Sequence, residues 1–145
     1  MTDREQEAAN TVRAYLAALN RGSADDAAEC VSDGFINEHT STLGETIVGR
    51  EAYRERLARF IESFSGLNYE VEQMIVDGHH VAVAYLMSAT WRQPGADAAG
   101  GRPFVIRGMF RFEVEAGRIT HRVDYWDSAD FQRQVTGPGV LELKA

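Results

Sequence analysis

Residues 117–127, GRITHRVDYWD, hold the densest set of chemically capable groups in the chain. In an extended strand successive side chains alternate, so Thr120, Arg122, Asp124 and Trp126 share one face while Ile119, His121, Val123 and Tyr125 share the other. Both faces mix apolar and polar residues, unlike a strand with one buried and one solvated side, and one face is therefore predicted to line a cavity. A carboxylate set between an arginine and a tryptophan has three uses there: moving a proton, hooking a substrate, or closing a structural ion pair. Proton removal beside a carbonyl, which enolisation and aldol-type ring closure both need, takes a base and a group that stabilises the oxyanion. Apolar walls would raise the pKa of Asp124 toward that task, whereas contact with Arg122 would lower it.

The chain has 145 residues, enough for one core and too few for two, so residues 1–145 are predicted to form a single domain. A hydrophobic share of 44% and a charged share of 26% are ordinary for a globular protein. The net charge of −7 works against a phosphate backbone, and nucleic acid is not an expected partner. No apolar run approaches the roughly 20 residues that span a bilayer, and the N-terminus MTDREQEAAN is charged, so no membrane partner and a cytoplasmic location are expected. Cys30 is the only cysteine, which excludes an internal disulfide and reads as a small hydrophobe at a helix end.

Several elements must position the strand. Ala9, Val12, Tyr15, Leu16 and Leu19 fall on one face of a helix over Glu5–Asn20, and Ser23 opens a second one through Ala27, Cys30 and Val31 that Asp33-Gly34 stops. Phe35–Asn37 is extended, and His39–Val48 is a loop over the surface or a pocket mouth. Tyr53, Leu57, Phe60, Ile61 and Phe64 repeat at helical spacing over Arg50–Phe64. Strands follow over Leu67–Val76 and His80–Arg92, joined by the hairpin signal Asp77-Gly78. The small polar stretch Gln93–Pro103 forms a hairpin tip, Phe104–Val114 a third strand, and Ser128 caps a short last helix through Phe131 and Val135. Three N-terminal helices packed on a curved antiparallel sheet make an α+β domain.

The strings TVRAYLAALNRG, FINEHTS, TIVGREAYRERL and FRFEVEAGRITHRVDYWD, in this order, resemble the nuclear transport factor 2-like superfamily. The chain is most similar to its SnoaL-like polyketide cyclases and more distantly similar to ketosteroid isomerases and limonene epoxide hydrolases. The resemblance implies a cone of bent sheet closed by helices around a deep central pocket, in a homodimer. It places Tyr15 where the isomerases keep a tyrosine that hydrogen-bonds the substrate oxygen, and Glu38 where they keep their catalytic carboxylate. Gly108 falls where they place a protonated aspartic acid, and glycine has no side-chain donor to replace it. Asp124 matches a catalytic aspartate of limonene epoxide hydrolase, but the arginine and second aspartate of that enzyme correspond to Tyr85 and Met87, so epoxide hydrolysis by that machinery is not expected. The cyclases pair their aspartate with a histidine; none lies on Phe104–Val114, which leaves His39 from the loop.

Two histidines and a carboxylate at metal-ligand spacing do not occur, and His79-His80 falls at a turn, so neither a metal site nor a cofactor is expected. His121 alternates away from Asp124, toward a partner subunit. The first functional reading is a cofactor-independent acid-base enzyme, a cyclase or isomerase, acting on a small hydrophobic carbonyl compound. Asp124 is its central group, Tyr15, Glu38 and His39 assist, and Trp126, Arg122, Trp91 and Phe110 contact the substrate. The alternatives are a module of the same fold that binds a small molecule without changing it, and a dimeric interaction protein.

Overall fold

The computed structural model describes residues 1–92 and 101–136. Of the predicted tip Gln93–Pro103, residues 93–100 lie outside the described residues, as does the tail after Pro138, while Arg102 and Pro103 already belong to a strand. The first helix, α1 (Asp3–Arg21), starts in a capping box in which Thr2 and Glu5 satisfy each other's free backbone donors. Its stripe of Val12, Tyr15, Leu16 and Leu19 is buried, as the spacing predicts. The second helix, α2 (Ala24–Glu29), is capped by Ser23 but ends sooner than predicted. The β-branched Val31 already pairs with Ile119, so β1 (Val31–His39) takes the residues assigned to the helix end.

A two-residue strand, β2 (Ile47–Val48), leads to α3 (Arg50–Glu62). Four long strands follow: β3 (Phe64–Asp77), β4 (His80–Trp91), β5 (Arg102–Glu115) and β6 (Arg118–Trp126). They form one sheet with β1 and β2 in the order β2-β1-β6-β5-β4-β3. Pairing is antiparallel, as in the predicted sheet, except between β1 and β6, which are parallel. This pairing sets Asn37 opposite Arg122 and His39 opposite Asp124. Register shifts in β3, near Glu113 and in β1 add local twist, and they bend the sheet around its helix-covered face.

The covered face buries Val81, Val83, Tyr85, Phe110 and Phe112 against α1. No helix among the described residues is long and apolar enough to cross a membrane. The last helix, α4 (Ser128–Thr136), is capped by Asp127 rather than by Ser128: Asp127 Oδ1 accepts from the N–H groups of Ala129 and Asp130 at 3.0 and 3.1 Å. The helix brings Phe131 against Trp91, Phe104 and Trp126, with ring centroids 5.9, 4.9 and 6.1 Å away. These edge-on aromatic contacts hold it over one end of the sheet.

Candidate active site

A cavity of about 460 Å³ lies between the bent sheet, α3, α4 and the loop after β1. Its walls are largely apolar, with Tyr53, Phe60, Phe64, Met87, Ile106 and Trp126 among them. Asn37, His39, Arg122 and Asp124 form a polar floor. Alternation within β6 and the parallel register with β1 aim these four side chains the same way.

Arg122 and Asp124 are both buried, at 6% exposure each, yet they are not paired. The guanidinium is used elsewhere. Nε donates to Asn37 Oδ1 at 2.7 Å and Nη1 to the Tyr15 hydroxyl at 3.0 Å, while its carbon sits 4.8 Å from the centre of the Phe110 ring. Tyr15 in turn hydrogen-bonds Tyr53. Burial raises the phenols of Tyr15, Tyr53 and Tyr85 above the usual tyrosine range, so each is a neutral donor at physiological pH. Asp124 accepts from the Tyr85 hydroxyl at 2.8 Å. Burial lifts its carboxyl above the usual carboxylate range, with Arg122 and the Tyr85 hydrogen bond opposing that rise.

His39 completes the floor, and its tautomer follows from its neighbours. Nε2 faces two donors, Asn37 Nδ2 and Arg122 Nη2, each at 3.4 Å. Arginine has no acceptor, so Nε2 carries the lone pair and Nδ1 carries the proton, with Asp124 Oδ2 3.6 Å away, beyond hydrogen-bond reach. Burial, then Arg122 and Arg56, pulls the imidazole down to about 3, and it stays neutral. Two buried donors, His39 Nδ1 and Trp126 Nε1, have no hydrogen-bond partner among the described residues. The loop holds this ring closely. A Cβ on Gly44 would fall 2.2 Å from that of His39, and Thr40 bonds the Asp124 carbonyl through N–H and hydroxyl at 3.2 and 3.1 Å.

The structure therefore gathers Asp124, His39, Arg122, Trp126 and Trp91 around one cavity. Three predicted residues lie elsewhere. Glu38 alternates to the outer face, 44% exposed and 3.0 Å from His121 Nε2, and does not reach the cavity. Tyr15 and Phe110 are wholly buried behind Arg122 and support it instead of meeting a ligand. His121 points outward but toward Glu38 and Glu113 of its own chain. His79 and His80 come within reach of Glu113, a closeness that linear spacing hides because Glu113 belongs to the neighbouring strand. Sequence reasoning missed Asn37 and Tyr53. It met Tyr85 only as a mismatch to an epoxide hydrolase. The signal for Tyr85 was Gly108, its partner across the sheet: a Cβ there would fall 2.3 Å from the Tyr85 hydroxyl oxygen. The missing side chain leaves room for the phenol to reach Asp124.

The family model of the SnoaL-like domain matches residues 12–122. The chain belongs to the SnoaL-like domain family. The solved structures agree on the fold of this SnoaL-like domain. One neighbour is a proposed polyketide cyclase from Xanthomonas campestris pv. campestris, 24% identical over 92% of this chain and 99% of that one, with a TM-score of 0.76. A protein with a ketosteroid isomerase-like fold from Catenulispora acidiphila, in complex with trimethylamine, is 18% identical over 90% and 95%, with a TM-score of 0.76. An epoxide hydrolase of the limonene epoxide hydrolase-like type from M. tuberculosis is 24% identical over 94% and 89%, with a TM-score of 0.72. No curated protein matches the sequence.

Two outcomes test this arrangement. Gly108→Ala forces Tyr85 out of its place and should lower the unfolding free energy in urea by about 1–3 kcal/mol. His39 binds fewer protons folded than unfolded, because its folded pKa lies near 3 and its ordinary value near 6.5. Its contribution to stability is therefore lost as pH falls through that window, whereas the raised carboxyl of Asp124 acts in the opposite sense. His39→Gln should flatten the fall in urea midpoint between pH 6.5 and about 3 relative to the wild type.

Proposed function

We propose that this SnoaL-like domain is a cofactor-independent acid-base enzyme of the cyclase or isomerase type, acting on a small hydrophobic carbonyl compound. The observation that carries this reading is a buried carboxyl with a raised pKa, set in an apolar cavity, that no cation among the described residues neutralises by contact. Such a carboxylate takes a proton from carbon near neutral pH and can return it as an acid. Asp124 is the proton-transfer group. Tyr85 fixes Oδ1 through its hydrogen bond, which leaves Oδ2 to face the substrate and His39. Arg122 and the unpartnered Trp126 N–H supply positive charge and a donor for the oxygen that becomes negative as the proton leaves. Trp91, Trp126 and the phenylalanines enclose the apolar body of the substrate.

The complexed relative from Catenulispora acidiphila supports occupation of such a fold by a small molecule. Epoxide hydrolysis is disfavoured, since Tyr85 rather than a carboxylate stands next to Asp124. Deuterium uptake from heavy water at carbon beside the carbonyl, followed by NMR over a panel of aryl ketones and cyclic diketones, tests the proposal without a known product. Asp124→Asn should slow exchange by about 10²- to 10⁴-fold. Full exchange in that variant would remove Asp124 from the mechanism. Saturable ligand binding with no exchange in the wild type would favour the binding module.

The same reading includes a homodimer, the second copy covering the outer face of the sheet. Ile75, Val105, Met109 and Tyr125 are exposed there, and Met109 and Tyr125 are direct register partners. Exposed large apolar residues on one face of a sheet suit a self-complementary contact. The joint substitution Met109→Asp and Tyr125→Asp should turn a dimer into a monomer by light scattering at micromolar concentration, and a monomeric wild type would contradict the assembly.

A further inference from the structure

The sheet end away from the cavity carries three histidines and two glutamates in one row. His80, Glu113 and His121 are register neighbours across β4, β5 and β6, and His79 precedes them on the β3–β4 turn. Glu113 divides its carboxylate between two of them: Oε2 lies 3.2 Å from His121 Nδ1 and Oε1 3.9 Å from His80 Nδ1. His121 Nε2 is in turn 3.0 Å from Glu38 Oε1. The rings of His79 and His80 lie 4.1 Å apart, tilted by 38°. One ligand atom from each of His79, His80 and Glu113 falls within 4.8 Å of the others, and all three residues are half-buried.

We propose that His79, His80 and Glu113 form a binding site for a divalent transition-metal ion of the zinc type. Two imidazole nitrogens and one carboxylate oxygen suit borderline ions and leave a fourth position for water, whereas calcium and magnesium prefer oxygen alone. The turn that carries the imidazoles is held on both sides. The Gly78 N–H donates to Glu5 Oε2 at 3.1 Å, and the His79 carbonyl accepts from the Val114 N–H at 2.9 Å. The carboxylate is oriented by His121, itself held by Glu38, which is the kind of outer support that strengthens a metal ligand. Bonds of about 2.0–2.2 Å to nitrogen and oxygen require the three ligand atoms to close in slightly, which half-exposed side chains do by rotation.

The site owes nothing to the proposed proton transfer. His80 is five residues along β4 from Tyr85, about 17 Å at a strand rise of about 3.3 Å per residue. A bound ion ties the β3–β4 turn to β5, so the folded chain gains stability with ion concentration.

The test uses the full chain without an affinity tag, stripped by chelator and titrated at neutral pH with Co²⁺, read by visible absorption, and with Zn²⁺, read by calorimetry. Saturable uptake of one ion per chain is expected. Glu113→Gln and His80→Ala should each weaken binding about 10-fold or more, and His121→Phe should weaken it about 10- to 100-fold by releasing Glu113. Circular dichroism of each variant is the check that these half-exposed positions leave the fold intact. The absence of saturable uptake, affinity that survives the joint loss of His80 and Glu113, or affinity abolished instead by His39→Gln would each overturn the site.

Discussion

A guanidinium carried to the inner face of a bent sheet constrains much of this molecule. Arg122 stays charged at any physiological pH, so its burial has to be offset by partners supplied from other elements. Asn37 of β1, Tyr15 of α1 and the face of Phe110 on β5 meet that need. The demand ties the first helix, the parallel strand pair and the centre of the sheet to a single point. It also explains why Tyr15, the residue on α1 with the most obvious chemical handle, is turned toward the protein and not toward a ligand.

Because Arg122 is satisfied by neutral groups, Asp124 two residues along has no contacting cation among the described residues. Burial raises its pKa, and the long-range attraction of Arg122 moderates that rise without cancelling it. A neutral histidine and a neutral tyrosine flank the carboxyl. The buried guanidinium and the buried carboxyl are thus each satisfied by neutral neighbours instead of by one another.

Much of the architecture was legible in the sequence because it rests on local chemistry. Capping by Ser23, the helical stripes of α1 and α3, the Asp77-Gly78 hairpin and the alternation of β6 all repeat short-range rules. The inward faces of Asp124, Arg122 and Trp126 follow from that alternation. What escaped is set across strands. Val31 looked like a helix end until its pairing with Ile119 drew it into β1, and this lengthened strand turned Glu38 outward and Asn37 inward. Tyr85 is separated from Asp124 by 39 positions, and only the space over Gly108 connects them. No rule of local spacing reports such a contact.

The parallel pairing of β1 with β6 also bears on when the cavity comes into being. His39 and Asp124 are brought opposite one another by strands far apart in sequence, and a bond from Thr40 to Asp124 spans 84 positions. Contacts so distant in sequence are slow to close during folding, since the intervening chain must give up its freedom before they form. A half-folded chain in which β1 has not yet found β6 therefore lacks the polar floor altogether.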